Sequence, residues 1–190
     1  MNCDCILSGV GGQGVLSIAA IIAHAAVKSG CTVRQSEVHG MAQRGGAVLA
    51  HLRIAGGPIA GDLVPRGAAH LVVSMEPLES LRYLPWLSPD GALVTAAEPF
   101  VNIPDYPEPG IILAAVEKLP RGRAVPAAAL AKEAGLARAV NMVMVGAASP
   151  YLPVTAEILE ETIGELFAAK NPEANIRAFR AGRNASGETR

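Results

Sequence analysis

The sequence predicts a three-layer α/β domain with a mostly parallel sheet and a hairpin insertion after the second strand. Three observations indicate this fold class. Short apolar runs alternate with helical segments, a glycine-rich turn joins the first strand to the first helix, and no linker divides the 190-residue chain. Strands that alternate with helices favour a parallel sheet covered on both faces. A chain of this length also buries enough surface to hold one core without a disulfide or a metal.

The composition is that of a nearly neutral folded domain. Hydrophobic residues make up 51% of the chain and charged residues 17%, with 16 basic and 17 acidic side chains. This is too apolar for a disordered segment and too neutral for electrostatic binding of nucleic acid. Aromatic residues, at 4%, are too few for a base-stacking platform. The composition leaves open a surface that is largely covered by another chain.

The first half of the sequence opens a βαβ unit, which is typical of a Rossmann-like domain. The predicted order is a strand at 3–8, a glycine turn at 9–14, a helix at 15–29 and a strand at 31–35. A polar segment, residues 36–46, replaces the long helix expected next.

The hairpin insertion is predicted directly after this segment. Residues 47–54 are again extended, and the Gly- and Pro-containing turn at 55–58 leads back into a short partner strand from Ile59.

The second half continues the alternation of strands and helices. Strands are predicted at 70–74, 91–95, 111–115 and 124–126, and helices at 76–84, 127–134 and 155–169. Residues 99–109 contain four prolines and are expected to be irregular. The apolar run 141–148 fits a buried helix or a strand. We expect one domain over residues 1–182 and a flexible tail over 183–190.

We expect no targeting segment at the amino end. Residues 1–4 lead directly into the first strand, and the helical part of the longest uncharged run, 14–27, is shorter than the roughly 20 residues of a bilayer span. We therefore expect a cytoplasmic protein without a membrane segment.

The glycine turn is the first candidate site. Gly9, Gly11 and Gly14 have the G-x-G-x-x-G spacing between a strand and a helix, where backbone N–H groups at the positive end of the helix bind phosphate. Gly12 and Gln13 complete the turn. The alternative interpretation is that the glycines serve a tight turn and close packing of the helix on the strand.

The polar segment 36–46 is the second candidate site. Glu37, His39, Gln43 and Arg44 fall within eight residues, interleaved with Gly40 and followed by Gly45. The arginine offers a planar fork for carboxylate or phosphate, while histidine and glutamine can orient a ligand or the backbone. An internal network that supports the loop is the alternative. Glu37 also fits the ribose-binding acid of a dinucleotide domain, although the missing second helix weakens that interpretation.

No catalytic residue or metal site is predicted. Cys3, Cys5 and Cys31 lack metal-ligand spacing and are expected to pack as small apolar side chains. His51, within a predicted strand, is expected to be a packing residue. No nucleophile elbow is present.

Together these motifs resemble a known family. Residues 9–14 (GVGGQG) and 36–46 (SEVHGMAQRGG) look like the gamma domain of the 2-oxoacid:ferredoxin oxidoreductases. Residues 76–79, 141–146 and 175–182 extend the similarity almost to the carboxyl end. The indolepyruvate branch, in which this domain is a separate chain called the beta subunit, is the most similar. One departure is Pro126, where relatives more often carry an aspartate, so the helix that follows lacks the expected cap.

The resemblance implies a subunit that is not active alone. Relatives oxidatively decarboxylate an arylpyruvate with coenzyme A to an aryl-acetyl-CoA, carbon dioxide and reduced ferredoxin. The resemblance places thiamine diphosphate, magnesium and 4Fe-4S clusters in a large alpha subunit and predicts a dimer of heterodimers that ferredoxin visits. Three unclustered cysteines agree with this, since an ordinary cluster takes four thiolates. A gamma subunit for another 2-oxoacid and a free-standing dinucleotide-binding module remain alternatives.

The resemblance also suggests what the two motifs do. This chain would bind no cofactor tightly, and coenzyme A would lie at its edge. Residues 11–14 and Arg44 would meet its phosphates, while Glu37, His39 and Gln43 would order the loop. The alternative is that both segments serve only the subunit interface. The candidate binding set is Gly9, Gly11, Gly12, Gln13, Gly14, Glu37, His39, Gly40, Gln43, Arg44 and Gly45.

Overall fold

The computed structural model describes residues 2–39 and 45–187. The strands are β1 (Asn2–Val10), β2 (Thr32–His39), β3 (Ala47–Ala55), β4 (Ala69–Ser74), β5 (Leu87–Ala96) and β6 (Gly122–Val125). The helices are α1 (Val15–Lys28), α2 (Pro77–Arg82), α3 (Pro109–Glu117), α4 (Ala127–Glu133), α5 (Val140–Ala148), α6 (Ala156–Leu166) and α7 (Pro172–Ala185).

The six strands form one mostly parallel sheet in the order β2-β3-β1-β4-β5-β6. Strands β1, β4, β5 and β6 pair in parallel, while β3 is antiparallel to both β1 and β2. The predicted α/β fold class is therefore confirmed. The hairpin insertion consists of β2 and β3, and it places β3 beside β1, between β1 and β2.

The predicted partner strand from Ile59 is wrong. Both edges of β3 are already hydrogen-bonded, to β1 on one side and to β2 on the other, so no edge is free for a third strand. The chain after β3 instead curls back over Arg53, whose guanidinium donates to the carbonyl oxygens of Gly61 and Leu63.

Helices cover both faces of the sheet, which gives the predicted three layers. On one face Cys5 and Leu7 pack in the larger core with residues of α1, α4, α5, α6 and α7. On the other face Ile6 packs in a smaller core with Tyr83 and Val116, next to α2 and in α3. Alternation along β1 thus sends successive side chains to opposite helical layers.

The predicted strand at 111–115 is wrong, because residues Pro109–Glu117 form α3. Pro109 occupies the first helical turn, where its missing N–H costs no hydrogen bond. Ile112 and Val116, four residues apart, are buried, while Ile111 is 65% exposed. That is the one-sided burial of a helix, which a short apolar run does not reveal.

The remaining differences concern element ends and one helix that was not predicted, α7 (Pro172–Ala185). β2 continues through Ser36 and Glu37 to His39, so the start of the polar segment is strand. The run 141–148 is helical in α5. Helix α7 extends past residue 182 to Ala185, and Ser186 is buried, so the described structure continues beyond the predicted start of the tail. Residues 99–108 are irregular, as expected. Among the described helices, none has the length and apolar character that a bilayer crossing requires.

Candidate functional site

The glycine turn lies where β1 ends and α1 begins, at the carboxyl edge of the parallel strands. Gly12 and Gly14 have φ angles of 101° and 85°, which favour glycine. At Gly9 a Cβ would lie 2.9 Å from Met75 Cβ and 2.9 Å from Val15 Cγ2, so close packing excludes a side chain. Both sequence interpretations of the glycines, turn geometry and packing, therefore apply.

The Gln13 side chain is used within the protein. Its Oε1 accepts a hydrogen bond from Val10 N at 2.7 Å, and its Nε2 donates to the Met75 carbonyl at 3.1 Å. It closes the turn and joins it to the end of β4. Both ends of the amide are therefore occupied by backbone groups.

Some backbone N–H groups of the turn have a hydrogen-bond acceptor within the protein, and others do not. Gly11 N donates to Gly46 O and Gln13 N donates to Val10 O. The first N–H groups of a helix have no intrahelical acceptor, and no side chain caps α1. Within the described residues, the N–H groups of Gly12 and Gly14 also find no acceptor. These groups, at the positive end of a 14-residue helix, point to an anion-binding edge.

The polar segment returns to the same place. Gly45 N donates to Gly11 O at 3.4 Å, and Gly46 O accepts from Gly11 N at 2.8 Å, so the start of β3 lies against the glycine turn. The structure thus brings Gly45 together with the turn.

The other candidates of the polar segment lie elsewhere. Glu37 is exposed on β2, opposite Ala50, and the backbone of His39 lies opposite Val48. Gly40, Gln43 and Arg44 lie outside the described residues. Because β3 separates β2 from β1, Glu37 lies two strand spacings, about 10 Å, from the line of β1.

A cleft of about 420 Å³ opens between the glycine turn and the helices α4 and α5. This size is within the usual range of ligand sites, and it lies outside the carboxyl ends of β1, β4 and β5, where open α/β sheets bind ligands. Gly12 and Gln13 form one wall, and Met75, Phe100, Ala128 and Val140 provide apolar surface. A second hollow of about 340 Å³ lies on the other side of the turn, next to Val10, Ser17 and Val48.

Two charged side chains also line the cleft, Glu98 and Arg138. Glu98 Oε1 accepts from Ala128 N at 2.9 Å and so caps α4, the helix that Pro126 leaves without its own side-chain cap. Glu98 Oε2 is buried, with no hydrogen-bond partner. Arg138 is exposed and forms no ion pair with any carboxylate in the described parts of the chain.

A segment of residues 99–108, here called the strap, passes beside the cleft and is tied at three points. Glu76, only 1% exposed, accepts hydrogen bonds from Phe100 N and from the Tyr106 hydroxyl. Asn102 Nδ2 donates to Gly45 O at 2.8 Å. Burial, and then the hydrogen bond to Glu76, raises the pKa of Tyr106 well above its ordinary value. The strap therefore links the end of β4 to the glycine turn.

The cysteines do not form a cluster site. Cys3 and Cys5 are buried on one face of β1, with their sulfur atoms 3.5 Å apart, and their mutual hydrogen bond raises the pKa of the Cys5 thiol. No group of three or more His, Cys, Asp or Glu side chains in residues 2–39 and 45–187 is arranged to hold a metal. The donors described here thus do not fit an iron-sulfur cluster or the metal of a diphosphate cofactor.

Sequence reasoning missed Glu76, Glu98, Phe100 and Arg138. They lie on three segments, after β4, after β5 and between α4 and α5, and only the fold brings them to the same sheet edge. The presence of Pro126 at the start of α4 could have indicated that a residue such as Glu98 is needed there. A helix without its own side-chain cap needs a hydrogen-bond acceptor from another segment.

Comparison with known proteins identifies the family of this chain. The sequence model of the pyruvate ferredoxin/flavodoxin oxidoreductase family matches residues 4–185. The chain is 37% identical over 198 residues to indolepyruvate oxidoreductase subunit IorB of Methanothermobacter thermautotrophicus, covering 100% of both chains. It is 38% identical to the protein of the same name from Pyrococcus horikoshii, covering 96% of this chain and 95% of that one.

Solved structures share the fold. The gamma subunit of a keto/oxoacid ferredoxin oxidoreductase from Geobacter sulfurreducens superposes with a TM-score of 0.71 at 23% identity, covering 97% of this chain and 98% of that one. A 2-oxoglutarate:ferredoxin oxidoreductase from Magnetococcus marinus, solved with 2-oxoglutarate, coenzyme A and succinyl-CoA, superposes with a TM-score of 0.75 at 20% identity. It covers 97% of this chain and 31% of that longer one. The match over nearly all residues shows that the chain belongs to the pyruvate ferredoxin/flavodoxin oxidoreductase family.

Proposed function

We propose that this chain is the non-cofactor, or beta, subunit of an indolepyruvate or related arylpyruvate:ferredoxin oxidoreductase. The observation that carries the proposal is the full-length similarity, at 37%, to a relative named as an indolepyruvate oxidoreductase subunit. In the reaction, an aryl 2-oxoacid and coenzyme A yield aryl-acetyl-CoA, carbon dioxide and a proton. Two electrons reduce two one-electron equivalents of ferredoxin.

The cofactors of this reaction are assigned to a partner. In the proposal a large alpha subunit carries thiamine diphosphate, magnesium and 4Fe-4S clusters, and the complex is a cytoplasmic dimer of heterodimers that ferredoxin visits. The cysteines of this chain are not arranged to bind an iron-sulfur cluster, which supports the assignment of the clusters to the partner. When bound in the partner, thiamine diphosphate supplies the decarboxylation chemistry, and this chain is not active alone.

This chain's contribution is the coenzyme A side of the site. The uncapped α1 terminus with the N–H groups of Gly12 and Gly14 supports phosphate binding, as does the adjoining 420 Å³ cleft. The Magnetococcus marinus relative contains bound coenzyme A. The candidate set from Gly9 to Gly45 remains a proposal, with Gly9 and Gln13 shaping the turn and Arg44 expected to contact phosphate.

Affinity purification of the tagged chain from its native cytoplasm, followed by mass spectrometry and an iron assay, tests the proposal. We expect a large iron-rich partner in stoichiometric amount. A chain that is recovered alone, without iron, contradicts the proposal. Assays of the recovered complex with indolepyruvate, phenylpyruvate, pyruvate and 2-oxoglutarate separate an arylpyruvate enzyme from one for another 2-oxoacid.

A free-standing dinucleotide-binding module is the second candidate, favoured by the G-x-G-x-x-G spacing in a strand-turn-helix context. The sheet order speaks against it. In the dinucleotide fold the strand with the ribose-binding acid neighbours the first strand, whereas here β3 intervenes. Calorimetry of the isolated chain separates the two candidates, because micromolar binding of NAD or FAD supports only the module.

The Arg44→Ala variant separates ligand binding from an interface role. If Arg44 contacts coenzyme A, the complex assembles and the KM for coenzyme A rises. If the segment serves only the interface, assembly fails while the KM in any residual complex is unchanged.

A further inference from the structure

Two thiols lie in contact at the amino end of β1, at the opposite edge of the sheet from the glycine turn. Cys3 and Cys5 point to the same face of the strand, and their sulfur atoms are 3.5 Å apart. Within residues 2–39 and 45–187, no third His, Cys, Asp or Glu side chain joins them in a metal-binding group. Any centre that this pair binds must therefore be satisfied by two sulfur ligands from the protein.

One thiol of the pair is open to a hollow, and the other is closed off. Among the described residues, a hollow of about 570 Å³ lies at this edge of the sheet, with Cys3, His70, Asp90 and Tyr151 among its lining residues. Cys3 is 3% exposed, while Cys5 is fully buried and does not line the hollow. A reagent that enters the hollow therefore meets the Cys3 sulfur first. The Cys5 sulfur then lies close enough to form a second bond within the same molecule.

The backbone between the two thiols is held in place. The Asp4 carboxylate accepts from Arg53 Nε at 2.8 Å and from Arg53 Nη2 at 3.2 Å, and Asp4 N donates to His70 Nδ1 at 3.0 Å. A disulfide would require the two sulfurs to approach to about 2.05 Å, which is about 1.5 Å closer than they are. Because these contacts oppose such a movement, a single atom that bridges the sulfurs fits the pair better than a direct S–S bond.

The charge and coordination number of the bridging atom are also limited. The hydrogen bond with Cys3, and then burial, raises the pKa of the Cys5 thiol, so this thiol is neutral at pH 7. Zinc takes four ligands, and Cu(I) held by two thiolates would leave a net negative charge in the core. Trivalent arsenic bonds to two sulfurs without any net charge. Its pyramidal geometry holds the sulfurs near their contact distance and directs the third substituent away from both.

We propose that Cys3 and Cys5 form a dithiol site for trivalent arsenic compounds of the type R–As=O. In the reaction the two S–H bonds and the As=O bond break, two As–S bonds form, and the oxygen leaves as water with both thiol protons. Arsenic stays trivalent, so no oxidant or reductant takes part. The R group lies in the hollow beside Cys3. This site is independent of the proposed function and of the glycine turn.

The test uses the purified full chain and phenylarsine oxide, followed by intact-mass spectrometry and titration of the remaining thiols. We expect one phenylarsenic group per chain, with two of the three free thiols consumed and Cys31 still titratable. The adduct should resist excess mercaptoethanol, a monothiol, because both As–S bonds belong to one chain. The dithiol dimercaptopropanol should remove it.

Cys3→Ala and Cys5→Ala each remove one sulfur and keep a small apolar side chain in the core. Either change should weaken the mercaptoethanol-resistant binding of phenylarsine oxide at least about tenfold, since a single As–S bond has no second bond to hold it. Cys31→Ala removes the third, half-buried thiol and is the matched control, which should bind as wild type does. Cys3→Ser, at the edge of the hollow, is the second variant if Cys3→Ala or Cys5→Ala does not fold.

Three results would overturn the proposal. The first is an adduct that forms through Cys31, and the second is resistant binding that is undiminished in the variants of Cys3 and Cys5. The third is a folded chain that does not react while the urea-unfolded chain does, since the pair would then be only a packing contact. None of these results bears on the subunit assignment.

Discussion

The side-chain amide of Gln13 donates to the carbonyl oxygen of Met75, 62 residues later, at 3.1 Å. The same amide accepts from Val10 N at 2.7 Å. One side chain therefore fixes the glycine turn to the ends of two neighbouring parallel strands, β1 and β4. The edge on which the proposed ligand site depends is held by this contact.

Gln13→Ala should lower the free energy of unfolding by about 1–3 kcal/mol, because it leaves Val10 N and Met75 O without their partner. Chemical denaturation of the chain measures the change. Gln35→Ala, on the exposed edge strand β2, is the matched control and should change stability by less than about 0.5 kcal/mol. Equal stability of the two variants would contradict the role of Gln13.

Gly182→Ala should be strongly destabilising. Helices α5 and α7 pack so closely that a Cβ at Gly182 would overlap the Val143 carbonyl oxygen, and backbone offers no flexible side chain to move aside. We expect a loss of roughly 3 kcal/mol in thermal or denaturant unfolding. Gly164→Ala is the control: its Cβ would make an ordinary contact with Ile176 Cδ1 at 3.8 Å, so alanine should stabilise α6 by roughly 0.5–1 kcal/mol. Similar effects of the two substitutions would contradict this packing.

His51 should make the protein sensitive to mild acid. It is 5% exposed, its Nδ1 accepts from Val64 N at 3.1 Å, and burial lowers its pKa below the ordinary value of 6.5. Below about pH 6.5 the unfolded chain therefore binds more protons at this position than the folded chain, and the free energy of unfolding falls as the pH falls. Urea denaturation between pH 8 and pH 5 measures the slope. His51→Gln should have a shallower slope over that range, and an unchanged slope would refute the assignment.

Tyr106→Phe should loosen the strap while the rest of the fold stays intact. The variant removes the hydroxyl that donates to the buried Glu76 carboxylate, a charge-assisted bond usually worth about 1.5–3 kcal/mol. Faster proteolytic cleavage within residues 99–108 and faster amide exchange at Phe100 are the expected results. Asn102→Ala breaks only the tie to Gly45, so it should loosen the strap near the glycine turn and leave the Phe100 amide protected. Equal protection of Phe100 in wild type and Tyr106→Phe would argue against the strap contact.

Much of the fold was predictable from local pattern. The predicted order of β1, the glycine turn and α1 was confirmed. Each of the three has its own sequence pattern: an apolar run, three spaced glycines and a 14-residue apolar helix. The strand prediction at 111–115 failed because a five-residue apolar run is too short to show either a helical or a strand period. Pro109, which starts a helix here, and a sheet that already ends at β6 favour the helix. The predicted second strand ended too early, at residue 35, because Ser36 and Glu37 are polar. An exposed edge strand tolerates polar residues on both faces.

The site was predictable only in part. Spacing located the glycine turn, but it did not show that the Gln13 side chain is used inside the protein or that Gly11 N bonds Gly46 O. Glu98 and Arg138 are 40 residues apart along the chain and share the cleft only because β5 and the α4–α5 connection end at the same edge. Relationships of that kind depend on topology, which a residue pattern does not encode.

The central claim, that this chain completes a CoA-dependent 2-oxoacid:ferredoxin oxidoreductase, is tested most directly by reconstitution. Purified large partner is titrated with this chain while indolepyruvate- and CoA-dependent reduction of ferredoxin is recorded. The account predicts negligible turnover without the chain and a rate that rises linearly to a sharp plateau at one chain per large subunit. Full turnover by the large subunit alone, or no response to the added chain, would contradict it.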